Sequence, residues 1–562
     1  MKENNTIQLG DSLVTKVIAG TDSTTIVAGK IQIRGGELGT GKVLTSDANG
    51  VGTWQTNAAN GWSLTGNSGV TDSTNFIGTT SYNALNFRVF NLKAGSIDPN
   101  TENTFFGFQS GNVNADGFDN TGFGWRSLYK NTEGSKNTAV GRSALSFNVT
   151  GNDNSAFGEA VLFTNTTGKN NTATGSLALY KNSTGSNNTA SGTKALYSNT
   201  TGNSNIAIGT ASLYQNTIQS YSVAVGDSAL YNNGIELADF PQSYYNTAFG
   251  FKSLFANKTG FSNTAIGYNS LSSNTNGLLL TAVGTDALLK NTTGRYNTAT
   301  GSSSLYNNIT GSDNTATGFQ ALVSNISGDL NVGIGSHSLT NNKMGHYNTA
   351  IGGYSLSAIT AGYGNTAIGF NIQASSDSLR NTTAIGANAK INASNKVRIG
   401  DAAITVIEGQ VDWTFPSDAR FKFNIHDDNI PGLAFINKLR PVTYQFNTQK
   451  FEEHLVQNSP ENRKQLRSDT QDYAESTNRI QTGFLAQDVE QVCKSLNYTF
   501  SGLHVPESKV DNYGLAYASF VPLIVKAVQE QQVIIETQNN KIELLEQKIN
   551  QLLMKFEELS KK

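Results

Sequence analysis

The sequence of 562 residues has a single cysteine, Cys493, which excludes an intrachain disulfide and leaves stability to other means such as oligomerisation. Charged residues make up only 15% and there are only 8 prolines. Ordinary globular domains carry more charge than this. The formal net charge of −2 leaves no basic field to hold nucleic acid or an anionic membrane. No run of 18 or more apolar residues exists, so no membrane-spanning helix is expected. Residues 1–9, MKENNTIQL, have no apolar stretch behind their charges and do not read as a secretory signal peptide. Synthesis in the cytoplasm is the expectation. The histidines His337, His346, His426, His454 and His504 form no metal-ligand spacing, and no nucleotide-binding loop is present. No cofactor is expected.

What the sequence does have is glycine, 56 of them, and a repeat. An N-T-A-x-G pattern closes at Gly107, Gly124, Gly141 and onward to Gly386 in seventeen rungs, every step being 17 residues except one of 24 between Gly226 and Gly250. Asn stands four residues before the glycine in 14 of the 17 rungs, and Ala two before it in 14. Leu stands four after it in 14, from Leu128 to Leu356. Asn recurs seven after it, as at Asn131, Asn165 and Asn291.

A 17-residue period is too short for a helical pair and suits one coil of a β-solenoid, with two short strands joined by two turns. In NTAIG the alternation puts Asn and Ala on one face, Thr and the variable Phe, Val, Ile or Thr on the other. Gly and Asn suit turn positions of positive φ. Stacked asparagines can form amide ladders. Leu and the variable apolar residue are expected to fill each thin coil. Seventeen coils spaced by roughly 4.8 Å reach roughly 80 Å. The pattern resembles the heads of trimeric autotransporter adhesins (YadA-like), which implies a parallel β-roll of three chains over residues 101–400. Those heads use a shorter unit, matched here only by the step from Gly386 to Gly400.

Other readings of the repeat are disorder, opposed by the strict spacing, and N-glycosylation at sequons such as Asn148 and Asn165, which the repeat itself explains. The longer step carries Phe240 and Pro241, either a tolerated insertion or a loop that touches a receptor. Residues 1–56 contain short β-like runs with a turn at Asp47–Gly50, and suit an N-terminal module attaching to a baseplate or tail component. Residues 57–100 read as a β linker and 401–416 as a neck.

After Gly400 charge, proline and helix formers appear, with short helices expected over 433–440 and 484–495. From about Tyr517 a long helix carries heptads, Val528, Ile535, Ile542, Ile549 and Phe556 at one seam and Leu545, Leu552 and Leu559 at the other, with Gln531 and Gln538 early in the second. That reads as a coiled coil over 517–562. The other reading is one amphipathic helix packed on its own domain.

Four segments stand in order: Phe415 to Ile425 (FPSDARFKFNI), Leu439–Phe446 (LRPVTYQF), Thr482–Val492 (TGFLAQDVEQV) and Tyr517–Gln531 (YASFVPLIVKAVQEQ). Together they resemble the endosialidase-type intramolecular chaperones, self-cleaving C-terminal domains of phage tail spikes and fibres. The resemblance covers roughly 413–562, with 417–516 as the chaperone. It implies a Ser–Lys pair cutting the Pro416–Ser417 bond, with Ser417 as nucleophile and Lys422 as base. The chemistry is coherent, because a hydroxyl needs a base and a lysine serves as one only when neutral, which burial favours. Asp418 and Arg420 are expected to hold the turn. Pro416 restrains the scissile carbonyl and works against cleavage. A surface Ser and Lys in a charged loop would be the bland alternative.

The expected architecture is mainly β: a homotrimeric β-solenoid or β-roll fibre of 17-residue repeats, then a small α+β chaperone domain and a coiled coil. The expected function is a structural tail fibre of a phage or phage-like contractile injection particle, binding a host cell-surface glycan or protein without inserting into the membrane. Near-identical rungs can pair out of register, and a C-terminal chaperone could set it before cutting itself away. Self-cleavage is the one activity expected. A secreted adhesin and a glycan-degrading spike are the alternatives, though the rungs offer no regular acidic pair for a glycosidase.

Overall fold

The computed structural model describes residues 42–49, 52–56, 76–234, 243–411, 413–457 and 473–561. The chain forms two compact units, one ending at Thr80 and one beginning at Ser81. In the first, Lys42–Ser46 pairs antiparallel with Gly52–Thr56. Asp47 starts the turn, its Oδ1 accepting the Asn49 N–H at 2.8 Å. The rest of the expected attachment module, and the insertion with Phe240 and Pro241, lie outside the described residues.

The second unit opens with Leu85–Val89 and Leu92–Asp98, which run antiparallel to each other and then to Asn103–Phe106. From Asn103–Phe106 onward each strand pairs in parallel with the next. The pairing is strictly in phase: Thr172, Ala173 and Thr174 lie beside Thr189, Ala190 and Ser191. It steps across the longer interval without a shift, Val223 beside Thr247. The antiparallel lead-in covers the first edge of the ladder, the usual device against open-ended pairing.

The alternation of the strand decides the interior. Ala139, Ala156 and Ala173 are wholly buried, whereas Phe123, Phe157, Phe249 and Ile266 on the opposite face are exposed. The variable apolar residue therefore does not fill the coil as the sequence suggested; strand alternation puts it outside with the threonines. Leucine fills the interior instead, Leu128 through Leu356 being fully buried.

Each coil through most of the solenoid has one three-residue strand rather than the expected two, as at Thr138–Val140, Ser155–Phe157 and Thr172–Thr174. The opposite side is a bend with left-handed residues, Ser143 at φ 58° and Leu145 at φ 49° in one coil. The bend still bonds along the axis, the Leu145 N–H donating to Val161 O at 2.9 Å. Holding a leucine left-handed costs about 1–2 kcal/mol. Burying it contributes about 1.5–3 kcal/mol, so the interior wins over the backbone.

The asparagines of the repeat do not take the positive φ expected of them; they line the interior as amide ladders. Asn154 Oδ1 accepts from the Asn171 N–H and from Asn171 Nδ2, both at 3.0 Å. In the second column Asn182 Nδ2 donates to Asn165 Oδ1 at 2.7 Å. The Gly185 carbonyl then receives Asn171 and Asn182 together, each at 2.9 Å. One carbonyl with two lone pairs thus satisfies two buried amides. The coil glycine is needed for close approach: Gly192 sits at φ 136°, and a Cβ there would lie 2.5 Å from Gly209 O.

The last coils depart from the rule. At the leucine position stand Gln373 and Lys390, both buried, and there Gln373–Ala374 and Lys390–Ile391 form a second short parallel pair. The ladder ends at Val397–Ile399.

Beyond it, Gly432–Ile436, Thr448–Val456, Ala474–Asn478 and Ala486–Ser495 are helices, and Val442–Gln445 pairs antiparallel with Ile480–Gly483. Phe435, Val489, Cys493, Phe500, Phe520 and Leu523 form the core of this small α+β region. A 40-residue helix, Val521–Ser560, closes the chain.

Candidate self-cleavage site

Residues 413–417 carry no regular secondary structure, Asp418 is extended, and its side chain builds the turn that follows. Its Oδ1 accepts the Arg420 N–H at 2.9 Å and its Oδ2 accepts Arg420 Nε at 2.9 Å. This caps the single 3-10 turn Ala419–Phe421. The Arg420 guanidinium holds the Asp418 carboxyl below the usual carboxylate range. The chain leaves the turn with the Lys422 N–H donating to Ala419 O at 3.2 Å. That one reversal folds Lys422 back, and its Nζ donates to Ser417 Oγ at 2.7 Å. Asp418 and Arg420 stand where the sequence placed them, around the turn, and hydrogen-bond to each other rather than to Ser417 Oγ or Lys422 Nζ.

The pair lies open to solvent. Around it Trp413, Phe415, Phe421, Phe423 and Ile425 are also exposed, an apolar set uncovered in the single chain. Neither side chain of the pair is covered in the single chain. A cleft of 660 Å³ lined by Tyr444, Phe451 and Tyr513 does not include Ser417 or Lys422.

The three downstream motifs converge on one another. Phe484 stacks on Phe520 with ring centroids 5.4 Å apart, and its N–H donates to Tyr517 Oη at 3.0 Å. Glu530 Oε2 accepts the Leu433 N–H at 2.7 Å, tying the long helix to the first short one. Leu523 and Ala527 are buried there, but Ile535, Ile542, Ile549 and Leu552 of the heptad seam are exposed.

Sequence reasoning missed the seat of this domain on the last coils. Lys390 and Glu452 form a buried ion pair. Asn392 Nδ2 donates to Val510 O at 3.0 Å, and Lys396 Nζ to Asp511 Oδ1 at 3.2 Å. His504 Nε2 lies 2.8 Å from the other Asp511 oxygen. Burial pushes the Asp511 carboxyl up, but the Asn512 N–H, His504 and Lys396 together carry it below its ordinary value. The available signal was a lysine in a leucine column. Burial pushes the Cys493 thiol up, which suits a packing role rather than a reactive one.

Residues 417–498 match the family model described as the chaperone of endosialidase, and the match begins at Ser417. No curated protein sequence matches the chain. The C-terminal region is thus an endosialidase-type chaperone domain, and its place behind a β-solenoid of 17-residue repeats fits a tail fibre with a C-terminal chaperone. The two together support a structural protein of the tail-fibre or spike type.

Proposed function

We propose that the protein is a homotrimeric tail fibre of a phage or phage-like contractile injection particle that attaches to a host surface, and that its chaperone domain sets the register of three chains and then cuts before Ser417. The observation that carries this reading is the chaperone match behind a solenoid of near-identical coils. Identical coils cannot choose a register, because a slip by one coil satisfies every ladder except the last. A C-terminal domain with unique contacts can.

Three unpartnered apolar surfaces support assembly. They are the outer strand face with Phe157, Phe249 and Ile266, the heptad seam with Ile542 and Ile549, and the segment around Phe421 and Phe423. A second and third chain would cover all three, and covering the last would bury the dyad. Cleavage would then follow assembly. Ser417 Oγ attacks the Pro416 carbonyl carbon while the neutral Lys422 amine takes the hydroxyl proton. The C–N bond breaks as Lys422 passes that proton to the Ser417 nitrogen, which becomes a free amine, and an ester to Ser417 Oγ remains. Water hydrolyses that ester, giving a Pro416 carboxylate and a free Ser417 hydroxyl. The fragment from Ser417 onward is 146 of 562 residues, about 16 kDa of 60.0 kDa.

Denaturing electrophoresis of wild type beside Ser417→Ala and Lys422→Ala, with native mass by light scattering, tests this. Wild type should form a trimer and release the fragment, while both variants form the trimer and stay whole. A wild type that stays at full length overturns the cleavage; a monomer overturns the assembly. Labelled fibre that adheres to no bacterial cell in a broad panel would overturn host attachment.

A further inference from the structure

The fifth residue after each coil glycine forms a column on the half-buried flank of the solenoid. Phe163, Tyr180, Tyr197, Tyr214, Tyr231 and Phe255 occupy it in six successive coils. Successive rings stack with centroids 5.0–5.3 Å apart. Stacked rings hide their faces and offer their edges. The hydroxyls of the four tyrosines make no hydrogen bond to a described residue, so they form a row of donors and acceptors, one per coil.

At one end the column is broken. Tyr129 precedes it, but the next coil has Ser146 where a ring would be, and Phe147 turns edge-on to Phe163 at 4.9 Å. The missing ring leaves a cleft of 390 Å³ floored by Ser143 and Ser146. Cations gather around it and are held in place by the rings. Arg126 lies 4.4 Å over Trp125 and 5.1 Å over Tyr129, and Arg142 lies 5.3 Å over Trp125. Gln109 fixes Arg126 through Nε at 2.9 Å, and Glu159 fixes Arg142 through Nη1 at 3.0 Å. The two Nη groups of Arg126 stay available to a ligand. Lys130 sits 4.4 Å over Phe147, and Lys181 continues along the column 5.5 Å over Tyr197. Glu159 also lines the cleft and offsets Arg142, so Arg126, Lys130 and Lys181 carry the excess of positive charge on this flank that favours an anion.

We infer that this flank binds an extended acidic polysaccharide lying along the fibre axis. Its acid groups would be received by Arg126 and Arg142 in the cleft, and its hydroxyls by the tyrosine row. The coil spacing is close to the length of one pyranose unit, so a linear glycan can meet successive hydroxyls without bending. Fixed guanidiniums suit carboxylate or sulfate through paired N–H donors. Trp125, 38% exposed, adds an apolar edge for the sugar ring. The inference rests on the attachment reading and names the class of receptor.

The test is calorimetric titration of the assembled wild-type protein with a long oligogalacturonate, a chondroitin sulfate oligosaccharide of similar length, and a neutral maltodextrin. At least one acidic chain should bind about tenfold or more tighter than the neutral one, which of the two identifying the acid group. Arg126→Ala with Arg142→Ala should weaken that binding about tenfold or more. Tyr197→Phe with Tyr214→Phe, which keeps the stacked rings, should weaken it about threefold to tenfold. Both double variants should keep the wild-type unfolding profile and trimer mass. Equal binding of the neutral chain, no binding of either acidic chain, or variants that bind like wild type overturn the site. Loss of the trimer in the variants would instead assign the flank to a subunit interface. Cell adhesion of labelled fibre separates the two claims: adhesion unchanged by the variants sinks this site and leaves attachment standing.

Discussion

Nearly every coil between Gly124 and Gly352 buries an alanine, a leucine and two asparagines, and the buried positions there hold no Asp or Glu among the described residues. The last coils bury Gln373, Lys390 and Asn392 instead; Lys390 pairs with Glu452, Asn392 with Asn512 and the neighbouring Lys396 with Asp511, all three partners coming from another domain. The first region uses neutral contacts that any neighbour can satisfy. The second uses charged contacts between residues that do not recur from coil to coil. Repetition gives the shaft cohesion through many equivalent bonds, and it gives up uniqueness. Uniqueness returns only where the repeat is broken.

The sharpest way to break this contrast is at the ion pair. Glu452→Gln leaves Lys390 buried without its carboxylate and should cost about 3–5 kcal/mol of seating for the chaperone domain. Limited proteolysis of the uncleaved Ser417→Ala background should show that domain loosened while the coils stay resistant. Within the shaft, Leu196→Ala should destabilise by about 2–5 kcal/mol. Unfolding kinetics in denaturant would measure it, and a cost near zero would mean that the leucine column is not the filling. Asn182→Ala strips one donor from Asn165 Oδ1 and from the Gly185 carbonyl, and about 1–3 kcal/mol is expected by the same measurement.

Acid should separate the regions more gently. The Asp511 carboxyl is held below its ordinary value, so its contribution is present above about pH 3.9 and is lost as pH falls through the lowered folded value. Near-ultraviolet circular dichroism and proteolysis from neutral to strongly acid pH should show the seat failing before the coils. The smallest effect is expected from the largest edit. Deleting residues 176–192, one whole period, should shorten the shaft by roughly 4.8 Å and leave its unfolding nearly unchanged. Aggregation of that variant would show that the coils are not interchangeable.

Much of this was legible beforehand because it repeats. The Asn–Ala face, the leucine column and the parallel phase follow from identities at fixed spacing. Ser417, Lys422 and the Asp418–Arg420 turn were legible because they sit within a few residues of one another. Two expectations about the coil failed for a local reason. The leucine takes a left-handed backbone that its propensity disfavours, since the interior rewards its side chain more than the backbone penalises its φ. That choice turns the expected second strand into a bend, while alternation along the one remaining strand puts the variable apolar residue outside. The Lys390–Glu452 pair was hidden because its partners are far apart in sequence and neither recurs.

The glycine-marked period by itself determined that the chain builds a stack of coils, because a residue that recurs every turn must meet its own copy. It also determined where the stack would end, since the pattern stops at Gly400. The tertiary structure alone decided what each coil hides and what it shows. Strand alternation, not hydrophobicity, sends Phe157 and Ile266 outward and Ala156 and Ala265 inward. It also decided that a lysine could end the leucine column, because a carboxylate from a distant helix arrives to pair with it.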